Sequence, residues 1–456
     1  MSNEQRTWLA FGFVGLLLLV IGFSQSWSVA LGIFNLCLIS AVMALGVNMQ
    51  WGYAGLLNVG IMGFAALGGM AAVLVSKTPI TAAWEAGWAN LLLAVIFFVA
   101  TVALAIFAFR KMDAGRHRTI AISTTIIIGL FITRYFLDPA VASIEAVEPA
   151  KTGFLGGMGM PILFSWVIGG IVAAGIAWLV GKVALGLRAD YLAIATLGIS
   201  EIIIAVLKNE DWLTRGVKNV TGLPRPVPYE IELQSSDWFL ELVTWWHSSS
   251  LINLTDIDKQ AALRQFTIEG SSIFVKLCYT GLFASVLIVI LMLSVKALNS
   301  PWGRMMRAIR DNEIAAGAMG KDVTRRHLQI FIVGSAVVGI AGAMLTTLDG
   351  QFTPTSYQPL RFTFLIWVMV IVGGSGNNMG SVLGGFLIWM VWIEAEPVGV
   401  WLVEFGTSWL DDSSTLKVHL VSNAQHMRLF FMGMVLLLVL RFSPGGILPE
   451  VIRRRS

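Results

Sequence analysis

Leu282-Phe-Ala-Ser-Val-Leu-Ile-Val-Ile-Leu-Met-Leu-Ser-Val295 runs, after Lys296-Ala-Leu-Asn, into Ser300-Pro-Trp-Gly-Arg-Met-Met-Arg-Ala-Ile-Arg-Asp-Asn-Glu-Ile-Ala-Ala-Gly-Ala-Met-Gly-Lys-Asp-Val-Thr-Arg-Arg-His327. The first part is nearly unbroken apolar sequence, and the second is helix-prone and strongly charged. A bilayer core about 30 Å thick takes about 20 apolar residues to cross as a helix. Residues 11–23 and 91–109 repeat the apolar pattern of 282–295. The chain has 456 residues, of which 56% are hydrophobic and 13% charged, against about a quarter charged in a soluble chain. A transmembrane β-barrel would show short alternating segments instead. The expected fold is therefore an all-α, polytopic integral membrane protein in one transmembrane domain, 1–456.

Spans are expected near 8–24, 28–48, 57–76, 88–109, 119–136, 161–181, 191–207, 273–295, 328–348, 363–375, 382–403 and 428–441. The segments at 191–207, 363–375 and 428–441 are short or interrupted, which gives a range of about 10–12. Residues 8–24 read as a retained first span rather than a signal peptide, since Glu4 offsets Arg6 in the leading segment. Cys37 and Cys278 both fall within expected spans and read as packing residues. The five histidines form no cluster in sequence, and His419 and His426 read as solvated loop residues.

Basic residues set orientation. With the N-terminus inside, inner segments hold 18 of the 31 Lys and Arg. That arrangement puts 300–327 and a basic tail, 442–456, in the cytoplasm, and a long segment, 208–272, outside. Within that outer segment, Trp238-Phe-Leu-Glu-Leu-Val-Thr-Trp-Trp246 reads as an aromatic membrane-flanking stretch.

Two uncharged blocks are dense in glycine. One is Trp51-Gly-Tyr-Ala-Gly-Leu-Leu-Asn-Val-Gly-Ile-Met-Gly-Phe-Ala-Ala-Leu-Gly-Gly69, the other Val372-Gly-Gly-Ser-Gly-Asn-Asn-Met-Gly-Ser-Val-Leu-Gly-Gly385. Glycine costs about 1 kcal/mol against alanine inside a helix, so the density implies breaks or tight contacts. Gly-interrupted segments in both halves point to a translocation path, while close helix packing also uses glycine. Gly376, Gly380 and Gly384, spaced by four, are expected on one helix face. The expected path residues are Asn48, Gly52, Gly55, Asn58, Gly373, Gly374, Gly376 and Gly380, together with Glu201, the carboxylate placed deepest in a span. Glu394 and Glu396, just before Pro397, are expected to face water near an early span end.

The 300–327 stretch divides into two helices by its caps. Ser300-Pro301 suits a helix start, and Asp311-Asn312 supplies a second. Glu313 sits in a first turn, where a carboxylate suits the helix dipole, and Gly320 is placed to end the helix. Ala315, Ala316, Gly317 and Ala318 make a thin helix suited to a groove on another protein. Length, small residues and paired caps favour a docking element over a solvated loop.

Here the sequence resembles a known family. Glu313-x-Ala315-Ala316-x-x-x-Gly320 resembles the Glu-Ala-Ala-x-x-x-Gly signature of ABC-importer permeases, with Ile314 inserted after the glutamate. Arg307-Ala-Ile-Arg-Asp-Asn-Glu-Ile-Ala-Ala, then Val337-Val-Gly-Ile-Ala-Gly-Ala-Met344, resembles the permease subunits of branched-chain amino acid importers. Ala44-Leu-Gly-Val-Asn48 with Gly52-Tyr-Ala-Gly55, Asp190-Tyr191 with Thr196-Leu-Gly198 and Glu201, and Gly373 through Gly380 fit as well. So do Thr221-Gly-Leu-Pro224 and Pro444-Gly-Gly-Ile-Leu-Pro449.

The resemblance implies a permease in the bacterial inner membrane with both termini cytoplasmic. Its implied partners are a homologous second permease subunit, two ABC ATPase subunits, a periplasmic substrate-binding protein and the lipid bilayer, with no nucleic acid. Arg307, Arg310, Glu313, Ala315, Ala316 and Gly320 are the residues expected to couple it to the ATPases. No G-x-x-x-x-G-K-[ST] phosphate loop occurs. The chain is therefore expected to bind no cofactor, with ATP and Mg used by the partner subunits, and to be a transport subunit rather than an enzyme.

The outer segment 227–271 looks longer than usual for the family, and 404–427 holds extra charges. Urea and short-amide permeases are related. The first glycine block lacks the more polar wording of urea-type members, which points to amino acids. An ion-coupled secondary transporter would want intramembrane charge pairs, and Glu201 has no evident partner in sequence.

Overall fold

Each of the twelve expected spans falls on a helix in the computed structural model, which describes residues 3–251, 255–411 and 414–450. The first seven are α1 (Asn3–Ser24), α2 (Trp27–Ala54), α3 (Ile61–Ser76), α4 (Thr81–Lys111), α5 (Arg116–Glu145), α6 (Leu163–Ala184) and α7 (Ala189–Asn209). Four short helices follow: α8 (Asp211–Thr214), α9 (Glu230–Gln234), α10 (Asp237–Trp246) and α11 (Ser248–Leu251). The chain continues with α12 (Asp256–Asn299), α13 (Pro301–Asp311), α14 (Glu313–Ala318) and α15 (Val323–Asp349). It closes with α16 (Pro359–Gly373), α17 (Asn378–Gly406), α18 (Thr415–Ser422) and α19 (Met427–Phe442).

Among the described residues, nine helices are long and apolar enough to cross a membrane, or ten if the bent pair α18–α19 counts as one span. Two expected spans, α3 and α16, have only 16 and 15 residues. Each is the short arm beside a glycine-rich break, and neither could cross about 30 Å of hydrocarbon unaided.

Burial separates a core from a rim. From Cys37 to Gln50, α2 is buried on every side, as a helix apolar all round must be. Small residues let α15 approach its neighbours closely. Gly334 and Gly46 pack where α15 crosses α2, Gly342 and Gly339 meet Ala65 and Gly68 of α3, and Gly339 also meets Gly169 of α6. On the other flank, α17 packs on α2 where Gly385 meets Ala41, and on α16 where Gly384 meets Met369. By contrast α4 and α5 form a peripheral hairpin. It is held by a Phe97–Phe136 stack at 5.1 Å and by Gly129 packed on Thr101, and most of its remaining apolar side chains are exposed.

The bundle has two distinguishable ends. One carries α13 and α14. The other carries a two-stranded antiparallel ribbon, β1 (Val220–Thr221) and β2 (Gln351–Phe352), with Val220 opposite Phe352. The 27 residues of α15 run from the first end to the second, about 40 Å.

Five expectations change. Residues 256–272, expected as loop, belong to the 44-residue α12, whose roughly 66 Å exceeds any bilayer core. Its early part packs instead against α9, α10 and α11. Ser300 does not cap α13 with its side chain, because its hydroxyl donates to the Ala297 carbonyl at 2.6 Å. Gly376 lies outside α17, in the turn before it, so only Gly380 and Gly384 of the expected triplet share a helix face. Helix α17 does not end near Glu394 but continues through Pro397 to Gly406. Within it, Glu396 pairs with Arg428 of α19, and Glu394 accepts a 3.0 Å hydrogen bond from Gln25. Cys37 and Cys278 are both free thiols. Of the basic tail expected at 442–456, residues 451–456 lie outside the described residues.

Candidate functional site

The two glycine-rich blocks, some 320 residues apart in sequence, meet in space. Helix α2 ends where Gly55 takes a left-handed φ of 70°, a conformation that excludes most side chains. Residues 55–60 then run without regular structure to α3. In the second block Gly374 and Gly376, with φ of 121° and 79°, turn the chain from α16 into α17. Asn377 caps α17 by accepting from the amides of Met379 and Gly380.

Asn48 joins the blocks. Its Oδ1 accepts from the Gly376 amide at 2.8 Å and its Nδ2 donates to Asn378 Oδ1 at 3.1 Å. One turn later, Gly52 lies so close to Gly376 that a side chain at 52 would collide with the Gly376 amide. On another face of α2, Gln50 Nε2 donates to the Phe331 carbonyl and Ser335 Oγ of α15. Asn58 donates to Gln50 Oε1 at 2.9 Å, and Trp367 of α16 donates to the Asn58 carbonyl. Asn48, Gln50, Asn58 and Ser335 are all at most 2% exposed. Buried polar groups must be paired, and here they are paired with one another across α2, α15, α16 and α17. The two broken helices are thereby sealed against each other in one buried polar layer.

From outside the seal, α13 reaches into it. The helix buries Gly303, Met306 and Ile309 against the bundle. Arg310 donates through Nη1 both to the Gly52 carbonyl and to Glu450 Oε2, the latter at 2.9 Å, and through Nε to Asp311 Oδ1 at 3.1 Å. Burial works against its charge. Glu450 first and Asp311 second outweigh that, and the guanidinium pKa is pushed up. The segment bearing Glu450 is itself tied to the second block. Leu448 N donates to the Gly373 carbonyl at 2.9 Å, Ile447 N to the Val372 carbonyl, and Asn377 Nδ2 to the Leu448 carbonyl. Arg307 turns inward too, donating to the Leu298 carbonyl at 2.6 Å and lying over the Tyr53 ring.

Beyond α13 the chain faces outward. Asn312 caps α14, its side chain accepting from the Ala315 amide at 2.9 Å. Gly320, at φ 75°, follows the helix. Glu313, Ile314, Ala315, Gly317 and Ala318 are exposed, and Ile314 is 87% exposed. An exposed apolar side chain on a protruding, small-residue helix suits a protein groove.

Of the path residues read from sequence, Asn48, Gly52, Gly55, Asn58, Gly373, Gly374, Gly376 and Gly380 come together at this seal. Glu201 does not. Its neighbours Thr196 and Ser200 bond the amides of Val59 and Gly63 beside the first break, but Glu201 itself is exposed on α7. Arg307 and Arg310, expected at the edge of a docking face, instead point into the bundle. Sequence reasoning gave Ser335, Trp367 and Glu450 no role. Ser335 and Trp367 carry polar atoms inside apolar spans, a readable signal. Glu450 is the one acid in a basic tail, a weaker one.

These features define a polytopic α-helical membrane protein built around two broken helices sealed against each other. The family model described as the branched-chain amino acid transport system / permease component matches residues 150–440, and the chain belongs to that family. Among curated relatives, the high-affinity branched-chain amino acid transport system permease protein LivM of Salmonella typhimurium is 29% identical over 223 residues, 48% of each chain. The LivM of Escherichia coli matches to the same extent. The fructose import permease protein FrcC of Rhizobium meliloti is 28% identical over 148 residues, 31% of this chain and 41% of its own. The chain spans about half the length of the LivM proteins it matches. No solved structure matches.

Proposed function

We propose that this chain is the membrane-spanning permease subunit of an ABC importer for branched-chain or related small amino acids. It works beside a homologous second permease, two ATPase subunits that use ATP and Mg, and a periplasmic substrate-binding protein. The α13–α14 end faces the cytoplasm of a bacterial inner membrane, with both termini on that side, and the ribbon end faces the periplasm. This chain carries the path and not the hydrolysis. Family membership and the excess of basic residues at the α13–α14 end support the reading.

The observation that carries it is the bridge from α13 to the seal. A partner that grips exposed α14 and shifts α13 moves the Arg310 guanidinium, and with it the Gly52 carbonyl and the Glu450 segment held to Gly373. That converts a movement outside the bundle into an opening of the two broken helices. Glu313, Ala315, Ala316 and Gly320 form the docking element, and Arg310 transmits its motion.

Affinity purification of the chain from membranes in mild detergent tests this. ATPase subunits co-purify with the wild type, and Glu313→Lys abolishes leucine uptake while the chain still reaches the membrane. Absence of any ATPase from the complex, with uptake unchanged in Glu313→Lys, overturns the reading.

A further inference from the structure

The helices that form the seal also enclose a cavity of about 270 Å³, whose lining includes Gln351 of the ribbon. Its floor is apolar, made by Leu36, Ile39, Met43, Met62, Leu365 and Ile366. Met43 lies only five residues before Asn48 on α2, about 7 Å along the helix axis. The cavity therefore sits directly above the sealed layer.

Polar residues interrupt this lining, namely Ser40, Gln351, Ser356 and Tyr357 together with Asp349, Thr353 and Trp389, and the last three carry polar groups without a partner among the described residues. Asp349, the last residue of α15, lines the cavity, and among the described residues no ion pair or hydrogen bond engages its carboxylate. The Thr353 hydroxyl and the Trp389 indole Nε1 are buried atoms without hydrogen-bond partners, and both residues line the same cavity. Leaving the two buried atoms unpaired costs free energy, which a ligand offering the complementary atoms recovers, whereas the carboxylate of exposed Asp349 is solvated and exchanges that water for a ligand cation. Those three residues offer one anion, one hydroxyl and one N–H donor beside the aliphatic part of the lining.

We infer that this cavity is an amino-acid subsite, in which Asp349 takes the α-ammonium, Trp389 and Thr353 take the α-carboxylate, and the floor takes an aliphatic side chain. The inference rests on the importer reading above and deepens it. A zwitterion supplies a cation for Asp349 and an acceptor for the indole N–H, and a branched aliphatic side chain supplies the surface the floor buries. Urea offers neither a charge nor an apolar body, so the cavity selects against it. Asp349 acts by charge-assisted hydrogen bonding, the stronger kind, and Leu36 and Ile366 act by shape. Passage onward requires the Asn48–Gly376 layer to part, which places this subsite on the periplasmic side of the barrier.

The test uses the complete transporter in proteoliposomes with saturating loaded binding protein, reading leucine uptake, alanine uptake and ATPase rate together. Asp349→Asn lowers leucine uptake at least about tenfold, the factor that about 1.4 kcal/mol represents, while stimulated ATP hydrolysis stays within about twofold. Asp349→Glu retains part of the uptake. Leu36→Phe, which narrows the floor at a half-buried position, lowers the leucine-to-alanine uptake ratio, a change that mere loss of folded protein does not produce. If wild type carries leucine and both Asp349→Asn and Leu36→Phe carry leucine and alanine as wild type does, the subsite is wrong and the importer reading stands. If wild type carries no amino acid at all, both fall together.

Discussion

Asn48 and Asn378 are 330 residues apart in the chain, yet their carboxamides meet at 3.1 Å in a buried layer. The same Asn48 side chain receives the Gly376 amide at 2.8 Å. One residue thus satisfies both a side chain and a backbone group of the opposite broken helix.

Asn48→Leu keeps the branched shape, with bulkier methyl ends, and removes both bonds. The Gly376 N–H and the Asn378 carboxamide are then buried without partners, which costs about 1–3 kcal/mol. Thermal unfolding of the purified chain in detergent is expected to show a lower midpoint. An unchanged midpoint would mean that the layer is not held by this residue.

Arg310 and Glu450 are each less than a quarter exposed, and they share their bond with the Gly52 carbonyl. Arg310→Gln, Glu450→Gln and the double variant form a cycle with a coupling of about 0.5–3 kcal/mol. Uptake falls in both single variants, and the double variant is no worse than Arg310→Gln alone. Simple additivity of the two changes argues against a shared contact.

At Gly384 an added side chain would strike the Met369 carbonyl of α16, while at Gly175 on exposed α6 surface nothing lies within 4 Å. Gly384→Val is expected to destabilise by roughly 1–3 kcal/mol or more through overpacking, with reduced yield of folded protein. Gly175→Ala is neutral, or stabilising by up to about 1 kcal/mol, from helix propensity. Comparing their unfolding midpoints separates packing glycines from incidental ones.

Asn312→Ala removes the cap of a six-residue helix. The loss is about 0.5–2 kcal/mol, and it falls on α14 alone because little else rests on that helix. Hydrogen exchange over residues 313–319 is expected to quicken while the global midpoint hardly moves. A large global shift would show that α14 supports the bundle rather than projecting from it.

The two breaks were legible in the sequence because glycine density and the absence of charge are local signals. The caps at Asn312 and Gly320 were legible for the same reason. The direction of Arg310 was not. It was expected with Arg307 among the coupling residues, and only the approach of Gly52 and Glu450 turns its guanidinium inward. Residues 256–272 misled in the opposite sense: their charge reads as loop, yet Thr255 caps a helix there and the helix runs unbroken into the span. The Asp349 cavity was likewise invisible, since its parts come from five stretches of chain. Glu201 shows the converse, a conspicuous carboxylate that the fold leaves outside the seal.

The Glu450 segment also orders events during biosynthesis. Gly52 emerges from the ribosome early, and the residues that lock it follow about 260 and 400 positions later. At about 5–20 residues per second that interval is of the order of tens of seconds. During it the first broken helix sits in the bilayer without its final fastening, and the second cannot yet offer its turn. The fastening of Gly52 through Arg310 to Glu450 is therefore complete only when synthesis has passed residue 450.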